Sequence, residues 1–243
     1  MELTHGSLFA GIGGFDKGAD QENIKTLWTC ELEDFNNKIL AQNGNAKQYK
    51  DIREMRTPGY VDIITGGFPC QDISLAGTME GIKGSRSSLW SEMYRICGEV
   101  RPQYIIIENS PALTFRGLEQ ILCDLSQIGY CCEWQCISNK SFGYPHHRER
   151  IYIIAYTNSF SEETNFLEYG DFKSIFKQWT PSVNSAIALS KRIYEMPTRT
   201  TVRNGDGFRH WTHRVSALGN AVNTTVASYL FWCIKEHKKK GAQ

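Results

Sequence analysis

One cysteine of this chain lies in a context that favours chemistry. Cys70 ends the stretch Asp62–Cys70, in which an apolar strand candidate runs into two glycines, a phenylalanine and a proline. Pro69 fixes its own φ and restricts the residue before it, so the backbone holds the direction of the thiol. Thiolates are strong nucleophiles. We therefore expect Cys70 to be a nucleophile, and we expect most of the other cysteines to be buried thiols, at positions 30, 97, 123, 131, 132, 136 and 233.

A carboxyl group and two guanidinium groups lie next to other apolar runs. Glu108 ends the strand candidate Tyr104–Glu108, and Arg148 and Arg150 begin the apolar run that continues to Tyr156. In a parallel sheet the strand ends project from one edge, so Cys70 and Glu108 would meet there. Alternation along a strand places the two arginines on one face. Each residue alone also suits a buried thiol, a solvated acid or a surface arginine, but their combination favours an active site.

A glycine-rich turn near the N-terminus is suited to binding a nucleotide. The sequence FAGIGGF at 9–15 follows the first strand candidate and opens a helix, and glycines let the backbone approach a ligand closely. Glu31 falls 20 residues after Gly11, where a carboxylate can accept hydrogen bonds from ribose hydroxyls. A dinucleotide fingerprint would require glycine in place of Asp16, which disfavours NAD. The pattern favours an adenosine cofactor, with a purely structural turn as the alternative.

The chemistry requires elements that bring these residues together. We predict strands at Ser7–Ala10, Thr26–Cys30, Val61–Thr65, Tyr104–Glu108 and Ile151–Tyr156, and helices at Phe35–Asn43, Leu89–Val100, Leu118–Ile128 and Thr224–Lys238. This alternation predicts an α/β fold with a mainly parallel sheet and helices on both faces. Residues 157–204 have no clear hydrophobic period.

Composition and charge limit the class of protein. The 243 residues, 41% of them hydrophobic, are enough for one main domain and a small appendage. No apolar run approaches the roughly 20 residues that span a bilayer, and no signal peptide is evident, so we expect a cytoplasmic protein without a membrane partner. No CxxC pair suggests a metal site. Residues 141–243 carry 14 Lys/Arg and 8 Asp/Glu, so a polyanion would contact mainly this part, although a basic tail can simply be solvated.

Taken in order, the motifs resemble those of the DNA cytosine-5 methyltransferase family. They are FAGIGGF, GGFPCQ, ENS, HxRxRIYIIA and GNAV, and the resemblance extends from residue 9 to 223. It implies a Rossmann-like fold that binds S-adenosylmethionine, without a metal, and methylates carbon 5 of a flipped cytosine through a covalent bond from Cys70 to carbon 6. The implied catalytic residues are Cys70, Glu108, Arg148 and Arg150. The implied cofactor-binding residues are Phe9, Ala10, Gly11, Ile12, Gly13, Gly14, Glu31, Leu32, Asp51, Ile52, Pro69, Leu89, Asn220 and Ala221.

The layout resembles that of compact phage and prophage members. Residues 1–156 and 205–243 are predicted to form the catalytic domain, residues 157–204 a reduced target-recognition segment, and residues 71–86 a mobile loop. We expect a monomer that acts on double-stranded DNA. Whether it has a cognate restriction enzyme stays open. Departures from the family pattern are Ser7 for Asp, Glu33 for Asp, Ser110 for Val and His146 for Gln. The alternatives are an RNA cytosine-5 methyltransferase acting on tRNA and a non-catalytic DNA-binding descendant.

Overall fold

Seven strands form a single sheet in the computed structural model, which describes residues 2–69, 88–157 and 220–240. The strands are β1 (Thr4–Leu8), β2 (Lys25–Cys30), β3 (Lys47–Tyr49), β4 (Ile63–Gly66), β5 (Tyr104–Asn109), β6 (Tyr130–Ser138) and β7 (Glu149–Thr157). Their order is β3-β2-β1-β4-β5-β7-β6; the first five pair in parallel, and β7 is antiparallel to β5 and β6. The predicted mainly parallel sheet is confirmed. Cys70, the predicted loop 71–86 and residues 158–204 lie outside the described residues.

Helices cover both faces of this sheet, as predicted. They are α1 (Gly14–Gln21), α2 (Asp34–Asn43), α3 (Ser88–Val100), α4 (Leu113–Arg116), α5 (Leu118–Gln127) and α6 (Thr224–Lys240). Ile106 of β5 belongs to the same buried cluster as Phe15 of α1 and Phe231 of α6. The preceding residue, Ile105, belongs to a second cluster that includes Met93 of α3. Side chains alternate along a strand, so both faces of β5 are buried. None of the helices in the described ranges is long and apolar enough to cross a lipid bilayer.

Polar residues explain why β1 begins earlier than predicted, at Thr4 rather than Ser7. His5 is fully buried, and its Nδ1 and Nε2 lie 2.9 and 2.8 Å from the hydroxyls of Thr26 and Thr65 on the neighbouring strands. Burial lowers the pKa of His5 to about 3, so the ring is neutral in the core. A polar side chain that is hydrogen-bonded in this way can occupy a central strand, which hydropathy does not reveal. Strands β3 and β6, at the two edges of the sheet, were not predicted.

The ends of five strands meet at one edge of the sheet. Phe9, Glu31, Gly67 and Ser110 directly follow β1, β2, β4 and β5. Strand β7 runs in the opposite direction, and Ile151 near its beginning pairs with Asn109 at the end of β5. The start of β7 therefore lies at the same edge as the ends of the parallel strands, where open α/β sheets bind their ligands.

Candidate functional site

A cavity of about 730 Å³ opens at this edge of the sheet, within the size range of small-molecule sites. It is lined by most of the predicted site residues, namely Phe9, Gly11, Glu31, Leu32, Asp51, Ile52, Pro69, Leu89, Glu108, Arg148, Arg150 and Asn220. Among the residues that the structure describes, Ala10, Ile12, Gly13, Gly14 and Ala221 lie outside its lining. It also includes residues that the sequence did not identify as site residues, namely Cys30, Glu33, Phe35, Asn36, Lys50, Arg53, Gly67, Phe68 and Ser110.

The glycine-rich turn shapes the cavity through its backbone. Gly11 and Gly13 have φ values of 57° and 87°, in the left-handed region that glycine adopts without steric cost. The Gly13 N–H donates to the Ala10 carbonyl at 2.9 Å and closes the turn into α1. A Cβ on Gly14 would lie 2.4 Å from the carbonyl oxygen of Val222. Gly13 and Gly14 are therefore needed for the turn and for the approach of the segment before α6.

The Glu31 carboxylate holds this turn against the end of β2. Its Oε2 accepts the Gly11 N–H at 2.7 Å, and its Oε1 accepts the Glu33 N–H at 2.8 Å and the Asn36 Nδ2 at 3.2 Å. A carboxylate has about four acceptor sites, so three donors leave one site for a ligand hydroxyl. The side chain is only 8% exposed, and its hydrogen bonds fix its orientation before any ligand arrives.

Asp51 lines the cavity, but its carboxylate is bound by a neighbouring arginine. Oδ1 accepts the backbone N–H of Arg53 at 3.0 Å and its Nε at 2.9 Å, and Oδ2 accepts Nη2 at 2.5 Å. These hydrogen bonds lower the pKa of the Asp51 carboxyl below its ordinary value. Arg53 was not predicted to be in the site. Its place two positions after Asp51 could have indicated it, because a basic residue so close in sequence can pair with the carboxylate.

Glu108 is a buried carboxyl group whose charge is only partly compensated. It is 8% exposed, and burial raises its pKa although the guanidinium groups of Arg150 and Arg148 act in the opposite direction. Nε of Arg150 lies 3.0 Å from Oε1, yet Oε1 has no well-aligned hydrogen-bond partner among the described residues. The contact is therefore an ion pair that leaves this oxygen able to bond a ligand. The raised pKa favours the protonated form, which can donate a hydrogen bond.

Arg148, just before β7, and Gly67, just after β4, also contribute to this end of the cavity. Arg148 is half-buried, and burial, together with the charge of Arg150, lowers its pKa. Both arginines line the cavity, which agrees with the alternation expected from their spacing. Gly67 contacts Glu108 directly, since a Cβ there would lie 2.9 Å from Glu108 Oε2. No local pattern indicates this contact, because Gly67 follows β4 whereas Glu108 belongs to β5.

The arrangement combines two kinds of chemistry in one cavity. The end near Glu31 and Asp51 offers carboxylate acceptors beside a glycine turn, which suits the hydroxyls and amine of an adenosine. The end near Glu108 and the arginines offers an acid and cations, which suits a polar heteroaromatic base. Pro69, which lines the cavity, directly precedes the predicted nucleophile Cys70 in the sequence.

Comparison with known proteins agrees with these features. A family model for C-5 cytosine-specific DNA methylase matches residues 3–230. The type II methyltransferase M2.BsuMI of Bacillus subtilis (strain 168) is 34% identical over 158 residues, which are 61% of this chain and 41% of that protein. M1.ScrFI of Lactococcus lactis subsp. cremoris is 34% identical over 174 residues, 68% of this chain and 43% of that protein. The chain thus spans less than half the length of these curated relatives.

Solved structures show the same fold over nearly the whole chain. The Entamoeba histolytica methyltransferase EhMeth superposes with a TM-score of 0.68 at 18% identity, over 97% of this chain and 98% of that one. The Dnmt2 methyltransferase of S. pombe gives a TM-score of 0.64 at 17% identity, over 95% and 97%.

Proposed function

Because this chain belongs to the C-5 cytosine-specific DNA methylase family, we propose that it transfers a methyl group from S-adenosylmethionine to carbon 5 of cytosine in double-stranded DNA. The resemblance predicted from its motifs is confirmed at the level of the family. One observation carries the proposal: a single cavity contains the glycine turn with Glu31 and the buried Glu108 with its arginines. The tRNA alternative is not favoured, because the matching family is one of DNA methylases. The paired Glu108 and Arg150 argue against a non-catalytic descendant.

The described residues fit the cofactor. Glu31 retains an acceptor site for a ribose hydroxyl, and Asp51 is a carboxylate that lines the same cavity. The turn at Gly11 leaves open space where other residues would have a side chain, since a Cβ there would meet nothing within 4 Å. We therefore assign the adenosine to the Glu31 end of the cavity. When bound, S-adenosylmethionine supplies a methyl group that is electrophilic because it is attached to a sulfonium.

The residues at the other end would activate the cytosine. Carbon 5 is a poor nucleophile in the aromatic ring, so the Cys70 thiolate adds to carbon 6 and breaks the aromaticity. Glu108, whose pKa is raised by burial against the opposing effect of Arg150 and Arg148, donates a proton to N3 as electron density enters the ring. Arg150 holds the carbonyl oxygen O2 and remains the counter-charge of Glu108 as the carboxyl ionises. Once carbon 5 carries the methyl group, its proton leaves to solvent, the double bond between carbon 5 and carbon 6 re-forms, and the bond to Cys70 breaks to release the thiolate. N3 returns its proton to Glu108.

The DNA must present its cytosine outside the stack for this chemistry. Flipping the base costs a few kcal/mol, which contacts to the DNA must offset. We propose that residues 157–204, within the basic C-terminal part, supply target recognition, with 1–156 and 205–243 forming the catalytic domain. We propose that the enzyme acts as a monomer, and any restriction endonuclease partner would share its target sequence.

Covalent capture on duplex DNA tests the proposed function. Fluorine on carbon 5 cannot leave as a cation, so DNA with 5-fluorocytosine at the target should stall as a Cys70 adduct that survives denaturing electrophoresis. The adduct should require S-adenosylmethionine and be lost in Cys70→Ser, because a hydroxyl is a weaker nucleophile than a thiolate. Cys123→Ser, which changes an exposed cysteine, is the matched control and should form the adduct normally. An adduct that persists in Cys70→Ser, or labelled methyl transfer to tRNA in preference to DNA, would refute the proposal.

A further inference from the structure

Asn109 connects the ends of two strands at the active-site edge. Its side chain is 1% exposed, its Nδ2 donates to the Phe68 carbonyl at 3.2 Å, and its Oδ1 accepts the Ser110 N–H at 2.8 Å. Phe68 follows β4, whereas Asn109 is the last residue of β5. Glu108 and Ser110 on either side of Asn109 line the cavity, but Asn109 lies outside the lining within the described residues. Its amide thus joins two structural elements behind the cavity wall.

The peptide that Asn109 contacts has a single hydrogen-bonding group. Phe68 is followed by Pro69, which has no N–H, so the carbonyl oxygen is the one group through which the Phe68–Pro69 peptide can be hydrogen-bonded. The Phe68 ring is held separately, since it is buried and packs on Trp90 with a centroid distance of 5.7 Å. The ring contact fixes the side chain, and the Asn109 bond fixes the plane of the peptide that leads to Pro69.

We propose that Asn109 is a positioning residue, which sets the orientation of the Phe68–Pro69 peptide, the last described peptide before the proposed nucleophile Cys70. The inference rests on the proposed function, because it assumes that Cys70 and Glu108 act on one base. Glu108 and Asn109 are consecutive residues of β5, so the acid and the hydrogen bond to the turn belong to one rigid element. The pairing of β4 with β5 and the Asn109 hydrogen bond therefore hold the Phe68 carbonyl in a fixed position relative to Glu108.

Loss of this hydrogen bond should reduce the rate of covalent addition more than cofactor affinity. A misplacement of about 1 Å at a reacting group costs on the order of 100-fold in rate. We expect Asn109→Ala to lower the rate of adduct formation on 5-fluorocytosine DNA by about 10- to 100-fold under single-turnover conditions. Affinity for S-adenosylhomocysteine, measured by calorimetry, should stay within about twofold of wild type, because the hydrogen bonds that orient Glu31 at the adenosine end do not involve Asn109.

Asn109→Asp is the second variant, and it distinguishes positioning from general destabilisation. The substitution keeps the shape, but the introduced carboxyl can donate to the Phe68 carbonyl only when it is protonated. Burial raises the pKa of a carboxyl, so the variant should approach the wild-type rate at low pH and fall away from it as the pH rises. For Asn109→Ala, by contrast, the rate relative to wild type should not fall as the pH rises.

Ser228→Ala is the matched control for stability. It removes a fully buried hydrogen bond of 2.8 Å to Glu22, between α6 and the end of α1, away from the turn. This variant should lower the unfolding temperature while the adduct rate stays at the wild-type value. Asn109 has no positioning role if Asn109→Ala forms the adduct at the wild-type rate, or if its adduct rate and its cofactor affinity fall together. The same conclusion follows if the rate of Asn109→Asp relative to wild type does not change with pH. If wild type forms no adduct, the proposed function itself fails; if Asn109→Ala does not fold, the pH dependence of Asn109→Asp decides.

Discussion

Replacing Gly67 with alanine should displace the catalytic acid without unfolding the protein. The added Cβ would lie 2.9 Å from Glu108 Oε2, whereas ordinary contact begins at 3.4 Å, so the carboxylate must move by about 0.5 Å. If a displacement of 1 Å costs on the order of 100-fold in rate, half of that displacement corresponds to about 10-fold. This is about 1.4 kcal/mol of transition-state stabilisation.

The stability of this variant should change little. The clash falls on the end of a side chain rather than on backbone, since the nearest backbone atom, the Glu108 carbonyl oxygen, would be 3.5 Å from the new Cβ. Overpacking of a core costs about 1 kcal/mol at its low end, and alanine offsets about 0.4–1 kcal/mol of this by restricting the unfolded chain. Gly67→Ala should therefore melt close to the wild-type temperature.

Single-turnover methylation of duplex DNA at saturating cofactor is the assay, with thermal unfolding recorded in parallel. Gly98→Ala is the matched control, because Gly98 lies in α3 and a Cβ there would meet nothing within 4 Å. The control should leave the rate unchanged and stabilise the fold by roughly 0.5–1 kcal/mol, since alanine is the better helix residue. A wild-type rate in Gly67→Ala would show that the position of Glu108 is not set by this contact.

Three further predictions concern the cofactor, the acid and the helix packing. Glu31→Ala should weaken S-adenosylmethionine binding by about 1–3 kcal/mol, through lost hydrogen bonds to a charged acceptor, and unchanged affinity in calorimetry would remove Glu31 from the site. Arg150→Gln should raise the pKa of Glu108 further, because the guanidinium lowers it. When the rate is normalised to its maximum, its decrease at high pH, where Glu108 ionises, should then occur at a higher pH than in wild type. A decrease at the wild-type pH would contradict this. Gly18→Ala would bring a Cβ within 2.6 Å of the Ala227 Cβ, so chemical denaturation should show a loss of about 1–3 kcal/mol, and no loss would mean that α1 and α6 can separate freely.

Local signals explain why so much of the fold was predicted. The runs at Tyr104–Glu108 and Ile151–Tyr156 are apolar and β-branched, and the structure has strands there with ends shifted by only one or two residues. The failures have a common cause. Strand β3 (Lys47–Tyr49) is extended because it pairs with Trp28–Cys30 of β2. Its own three residues do not require that conformation, so no local pattern predicts it. Polar residues such as His5 likewise belong to the core because their partners on other strands bond them.

Residue types and their order determined by themselves the kind of chemistry this protein presents. A cysteine after Gly-Phe-Pro, a glutamate at the end of a strand and a glycine turn followed by Glu31 are local features, and the backbone rules for glycine, proline and alternating strands act over a few residues. The family could therefore be recognised before any coordinates, with its residue roles as expectations.

Only the tertiary structure decided which of these groups touch. Arg150 reaches Glu108 because β7 runs antiparallel to β5 in one register, with Glu108 opposite Tyr152. Asn109 bonds Phe68 across 41 residues of chain, and Gly67 makes room for the Glu108 carboxylate. Register and strand order depend on packing summed over the whole sheet and both helical layers, so no local pattern encodes them. The sequence therefore names the reacting groups, and the sheet sets the distances between them.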